Sequence, residues 1–196
     1  MNAHNGKSVD RLAAAGQVLF VASEPGQVWR VVCGMVRLDQ AGRHQNPMVG
    51  FALPGDLLGL ECGVQGAYAF SATALTDTCL TPVQGASSDD RAGLMIEGLM
   101  QTQQRLLDMA VLRRGRVVQR VKHLLDVIGR DPLSGGTRDA GMPLPYLKDV
   151  AALVDATPES VCRALRVLAE PLPSPTQPVA VRQGRLQSLF STLVTA

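Results

Sequence analysis

Cysteine is scarce and scattered in this chain: Cys33, Cys62, Cys79 and Cys162 form no CxxC pair. That excludes the usual zinc-ligand spacings and a secreted disulfide frame, and predicts that most of the four are buried apolar thiols. No apolar run reaches membrane-spanning length, and the N-terminus lacks a charged-then-apolar signal pattern. A cytoplasmic protein with no membrane partner is therefore expected. There is no Gly-rich phosphate loop, no two-histidine metal motif and no nucleophile–base pair. The residues thus argue against an enzyme and call for no cofactor. Internal repeats are also missing.

The 196 residues are 46% hydrophobic and 18% charged, enough for two small packed domains. The net charge of +2 hides an asymmetry: residues 1–112 carry 7 Lys/Arg against 10 Asp/Glu, and residues 113–196 carry 12 against 7. A basic C-terminal part suits a nucleic-acid partner, although charge variation alone would not establish one.

Over residues 17–83, short apolar or alternating segments at 18–21, 28–32, 35–38, 48–53 and 70–75 are separated by glycines. Such spacing predicts a small antiparallel barrel or roll. Pro54-Gly55-Asp56 reads as a tight turn. Residues 84–90 read as a linker, followed by a long helix from Asp89 to Leu112. In that helix Met95, Leu99, Leu106 and Met109 lie at coiled-coil spacing and predict self-association; packing on the chain's own barrel is the alternative. Gly115 could act as a hinge, and 117–128 reads as a further amphipathic helix. Beyond Glu170 the prolines at 171, 173, 175 and 178 forbid helix. A hairpin over 179–189, a candidate wing, is expected there.

The most informative stretch is Thr157-Pro158-Glu159-Ser160-Val161-Cys162-Arg163. Thr157 suits an N-cap and Pro158 the first helical position. Val161, Ala164, Leu165 and Leu168 form an apolar stripe, with Glu159, Cys162, Arg163 and Arg166 opposite. The preceding helix, over 146–154, has its own stripe of Leu147, Val150, Ala151 and Val154. Two such helices across a short turn pack crosswise and predict a helix-turn-helix. In a major groove, arginine can donate twice to guanine and glutamate can accept from the cytosine amino group. The same pattern also fits an ordinary helical hairpin with a solvated charged face.

Two blocks resemble the CRP/FNR family of bacterial transcription regulators. The first is Gly34-Met35-Val36-Arg37-Leu38, Gly42-Arg43 and Phe51-Ala52-Leu53-Pro54-Gly55-Asp56-Leu57-Leu58-Gly59; the second is Asp149-Val150-Ala151 with Glu159-Ser160-Val161-Cys162-Arg163. The resemblance covers nearly the whole chain. It implies an α+β fold: an N-terminal antiparallel β-roll like a cyclic-nucleotide-binding domain (1–88), a dimerisation helix (89–114) and a C-terminal winged helix-turn-helix (115–196). It further implies a homodimer on double-stranded DNA at a palindromic TTGA-n-TCAA-type site, with RNA polymerase as a further partner. Glu159, Ser160, Cys162 and Arg163 would face the bases, and Thr157, Arg166 and Arg182 would complete the DNA-binding set.

The departures from the family pattern bear on the signal. Where cAMP-binding members carry a glutamate and an Arg-Ser pair, this chain has Leu60 and Phe70-Ser71. A phosphate needs a cationic partner, which phenylalanine cannot supply. No cysteine precedes Cys33, so the N-terminal iron–sulfur signature is missing too. The chain therefore resembles the FixK/FNR-like branch without those signatures. Three inputs compete. The protein could act without a ligand. Cys162, near a helix N-terminus and beside Arg163, could be a redox switch, or simply stand in for serine. The barrel could bind haem or an apolar effector, with His4, His44, His123 or methionines as ligands. An effector-, haem- or redox-responsive module whose helix-turn-helix is inactive in the ground state is the alternative function.

Overall fold

The computed structural model describes residues 10–42, 47–83, 87–129 and 143–169. Two compact units divide them: residues 10–107, and residues 108–129 with 143–169.

The first unit holds eight strands among the described residues: β1 (Arg11–Ala13), β2 (Val18–Phe20), β3 (Trp29–Cys33), β4 (Val36–Gln40), β5 (Met48–Ala52), β6 (Leu57–Leu58), β7 (Phe70–Ala74) and β8 (Thr78–Pro82). A single-turn helix α1 (Cys62–Gln65) precedes β7. All pairings are antiparallel, in two sheets ordered β1-β8-β3-β6 and β2-β7-β4-β5. This is the expected roll. The core is filled by Leu19, Phe20, Trp29, Val31, Val36, Ala72 and Leu80. Tyr68 stacks on Phe20 with ring centroids 3.8 Å apart and takes the indole N–H of Trp29 on its hydroxyl at 3.0 Å. Both polar tips of these buried aromatics are thereby satisfied.

Five strands fall where alternation predicts them. Three others, β1, β6 and β8, are too short or too mixed in polarity to stand out. The expected turn at Pro54-Gly55-Asp56 is present: Gly55 has φ +95°, and Asp56 N–H donates to the Leu53 carbonyl at 2.9 Å. Asp56 also accepts the Leu53 N–H at 2.8 Å and binds Arg105 through Nε at 2.8 Å.

The long helix α2 spans Ser88–Leu112. Ser87 and Asp90 start it with reciprocal bonds, each side chain accepting the other's backbone N–H at 3.1 and 3.0 Å. Gln101 hydrogen-bonds both the N–H and the carbonyl of Leu57, and Arg30 pairs with Glu97 through its two terminal guanidinium nitrogens. These contacts tie the helix to the roll of the same unit.

The second unit contains α3 (Val117–Ile128), α4 (Leu147–Leu153) and α5 (Pro158–Ala169). Its core is Met109, Leu112, Val121, Leu124, Val127, Val150, Leu153, Val154, Val161 and Ala164, all at most 7% exposed. The expected wing at 179–189 lies outside the described residues.

The cysteines depart from expectation. Only Cys62 is buried; Cys79 and Cys162 are half-buried and Cys33 is exposed.

Candidate nucleic-acid interface

The turn between α4 and α5 is built by local chemistry. Val154 ends α4, Asp155 takes the left-handed conformation at φ +48°, and Ala156 N–H reaches back to the Ala151 carbonyl at 2.9 Å. This is the Schellman closure that usually employs glycine; aspartate tolerates it better than most residues. Thr157 then caps α5, its hydroxyl accepting the Ser160 N–H at 3.3 Å. Val161 and Ala164 are buried against the rest of the unit, with Leu165 and Leu168 half-buried beside them.

The opposite face of α5 is free. Glu159, Arg163 and Arg166 are exposed, as is Thr157, while Ser160 and Cys162 are half-buried. The Ser160 hydroxyl meets that of Thr157 at 3.1 Å. Glu159 and Arg163 stand one helical turn apart on that face. A hydrogen bond from its own backbone and then one from Thr157 hold the Glu159 carboxyl below the usual carboxylate range; burial opposes them, and the charge of Arg163 is the smallest contribution. Glu159 is thus an acceptor at neutral pH. On α4, Lys148 lies 5.8 Å from the ring centre of the exposed Tyr146. Arg182 lies outside the described residues.

Arg120 of α3 is a contributor that the sequence reading missed. Its Nη1 donates to the carbonyls of Val154 and Asp155 at 2.6 and 2.9 Å, clamping the turn from behind. The signal was an arginine on the face carrying Val117, Val121 and Leu124. A cation beside an apolar face must find acceptors.

On α2, Leu99 and Leu106 are 60% and 63% exposed and Met95 is 41% exposed. Ile96, Met100, Leu107 and Val111 extend this apolar surface. Met109 differs from its expected companions: it is 7% exposed, inside the core of the second unit. The 3.5-residue spacing placed it on the stripe, whereas the final turns of α2 turn that position inward.

In the roll, Leu60 packs against α2 at Gly98, where an added Cβ would lie 1.9 Å from Leu60 Cδ1. The Ser71 hydroxyl accepts the Ala22 N–H at 3.0 Å. The nearby cleft beside Gly55 contains Arg30, Glu97 and Gln101, whose polar atoms are engaged with the protein itself. Of the histidines considered as haem ligands, His123 sits on α3 in the second unit, outside the roll, with Nε2 3.6 Å from Asp108 Oδ1. His4 and His44 lie outside the described residues. Among the described residues no cluster of three or more His, Cys, Asp or Glu could hold a metal, and no helix is long and apolar enough to cross a membrane.

The architecture matches solved transcription regulators. FixK2 from Bradyrhizobium japonicum superposes with a TM-score of 0.65 at 24% identity, covering 93% of this chain and 96% of that one. TTHB099, a CRP-family transcriptional regulator from Thermus thermophilus, gives 0.62 at 21% identity over 81% and 83%. TTHA1359, a CRP/FNR-family regulator of the same organism, gives 0.55 at 24% over 82% and 86%. No protein-family profile and no curated protein matches the sequence. The chain therefore has the α+β fold of CRP/FNR-type regulators.

Proposed function

We propose that this chain is a sequence-specific DNA-binding transcription regulator, acting as a homodimer on a palindromic TTGA-n-TCAA-type site. The observation that carries the reading is the outer face of α5. Glu159, Arg163 and Arg166 project from a capped helix whose other face is buried, and Arg120 fixes the turn leading into it. In this reading α4 and α5 form a helix-turn-helix and α5 enters the major groove. Arg163 donates to guanine O6 and N7, and the ionised Glu159 accepts from the cytosine amino group. Cys162 and Ser160 lie within reach of base edges. Arg166, Lys148 and Arg182 bind phosphates, together with the N-terminal amides of α5.

The exposed stripe of α2 supports dimerisation, with Met95, Leu99 and Leu106 joined by Ile96, Met100 and Leu107. A dimer spaces two recognition helices about 34 Å apart, one turn of DNA. The roll does not take a cyclic nucleotide in the usual way: Leu60 is packed on α2, Phe70 offers no cation, and Ser71 is engaged with Ala22. The regulator is thus competent without that ligand, works in the cytoplasm and acts on RNA polymerase.

Fluorescence anisotropy of reduced, ligand-free protein tests the reading with a TTGA-n-TCAA duplex and a scrambled duplex across a salt series. Selective binding that weakens steeply with salt is expected. Equal affinity for both duplexes at every salt concentration would overturn it.

A further inference from the structure

The roll holds a thiol pair that the proposed DNA-binding function leaves unused. Trp29 and Val31 of β3 point inward, with Arg30 between them half-exposed. Continued alternation would turn Cys33 inward too. Instead the register shifts: Val31 pairs with Leu80 and Cys33 with Cys79, leaving Val32 as the extra residue. Such a bulge sets two residues of one strand against one of its partner and re-aims the side chains that follow. Val32 and Cys33 are accordingly both exposed. On β8, Cys79 lies between buried Thr78 and buried Leu80 and so faces outward. Its partner on the other side is the exposed Leu12 of β1. The bulge therefore brings two thiols to one outer face.

Directly opposed residues of an antiparallel ladder have Cα atoms roughly 4.5–5.5 Å apart. A disulfide closes at about 4.4–6.8 Å. Burial, and after it the proximity of Cys33 and of Asp10, push the Cys79 thiol up. That fits two sulfurs close enough for charge on one to disfavour charge on the other.

We propose that Cys33 and Cys79 form a reversible cross-strand thiol–disulfide site, oxidised by a low-molecular-weight disulfide. Access sets the order of events. The thiolate of exposed Cys33 attacks one sulfur of the small disulfide, whose S–S bond breaks and releases one small thiolate. Cys33 now carries a mixed disulfide. The Cys79 thiolate attacks Cys33 Sγ, forming the protein S–S bond and expelling the second small thiolate. Two protein thiols are oxidised, the oxidant is reduced to two small thiols, and the two cysteine protons end on them. A dithiol reverses the sequence. Closure staples β3 to β8, the central pair of their sheet, beside the turn that leads into β4. In a reducing compartment such a link forms only under oxidant, as redox-sensing disulfides do.

The test uses full-length protein with Cys62→Ser and Cys162→Ser, so that the pair holds the remaining thiols of the four cysteines. Excess oxidised glutathione is added, followed by non-reducing digestion and mass spectrometry. The expected product is an intramolecular link between Cys33 and Cys79, two hydrogens lighter than the reduced pair and reopened by dithiothreitol. The thermal midpoint rises by several degrees on closure and returns on reduction. Adding Cys79→Ser halts the reaction at a glutathione adduct on Cys33 and removes the rise. The wild-type chain, mapped by differential alkylation before and after oxidation, gives the same answer without any substitution. Stable arrest at the glutathione adduct with both cysteines present, or links formed only between molecules, would overturn the proposal.

Discussion

The guanidinium of Arg120 donates to the carbonyl of Asp155, the one residue of the α4–α5 turn in the left-handed conformation. A cation on α3 thereby neutralises carbonyls at the C-terminal end of α4, where the helix dipole favours positive charge. It also holds the turn that aims α5. Arg120→Met keeps the apolar stem and removes both bonds. An expected loss of about 1–2 kcal/mol follows from losing two charged hydrogen bonds, one part-buried and one exposed, read by urea denaturation. Asp155→Gly should act in the other direction, stabilising by roughly 0.5–1 kcal/mol through relief of the left-handed backbone.

Arg163 and Arg166 share the exposed face of α5 but are assigned different tasks. Arg163→Ala should cost roughly 1–3 kcal/mol of DNA affinity and relax discrimination at one G·C pair per half-site. Arg166→Ala should weaken all sequences alike and reduce the salt slope by about 1. Anisotropy against single-base variants of the duplex separates the two. If Arg163→Ala left discrimination intact, its base contact would be refuted.

Two substitutions to glutamate on α2 should behave differently. Leu99→Glu, at a position 60% exposed, is expected to leave the fold intact and convert a dimer to a monomer in sedimentation velocity. Met109→Glu buries a carboxylate at a position 7% exposed and should lower the thermal midpoint instead. A monomeric wild-type protein at micromolar concentration would remove the role assigned to the stripe.

The Arg30–Glu97 pair predicts an acid-side effect. A hydrogen bond from Arg30, reinforced by its charge, holds the Glu97 carboxyl below its usual range despite partial burial. A depressed carboxylate pKa contributes stability that is full above the unfolded value of about 4.3 and is lost as pH falls through the lower folded value. Wild type should therefore exceed Glu97→Gln in stability at neutral pH, with the gap closing below about pH 4. Because the Glu97 side chain is 44% exposed, solvent screening limits the gap to less than about 1 kcal/mol. A gap that persisted at pH 2 would assign the effect to something other than ionisation.

Gly98 and Leu60 form a coupled pair. Alanine is favoured over glycine inside a helix by about 1 kcal/mol, yet a Cβ at residue 98 would collide with Leu60. In a Leu60→Ala background, Gly98→Ala should stabilise by up to about 1 kcal/mol. In the wild-type background the gain should shrink or reverse as Leu60 is displaced. A double-mutant cycle measures the coupling, and additive effects would show that Leu60 moves aside freely.

Elements governed by local periodicity were legible in the sequence. Helix α3 falls at 117–128 as read, α2 begins one residue earlier than expected, and five strands match their alternating segments. The Thr157 cap was legible for the same reason, since it follows from short-range hydrogen bonding. The candidate interface was half legible. Its exposed residues stood out by helical spacing, whereas Arg120 depends on a contact 35 residues away along the chain.

What the sequence by itself determined is therefore the helices α2 to α5, five of the eight strands among the described residues, and the charged face of α5, because each arises within a turn or two of backbone. The tertiary structure alone decided three things. It folded Met109 into the second unit's core, closed Leu60 over Gly98, and turned Cys33 outward to meet Cys79. The physical reason is common to all three. Packing distance and strand register are set by partners far away in sequence, and one extra residue in a strand is enough to reverse the face that alternation assigns.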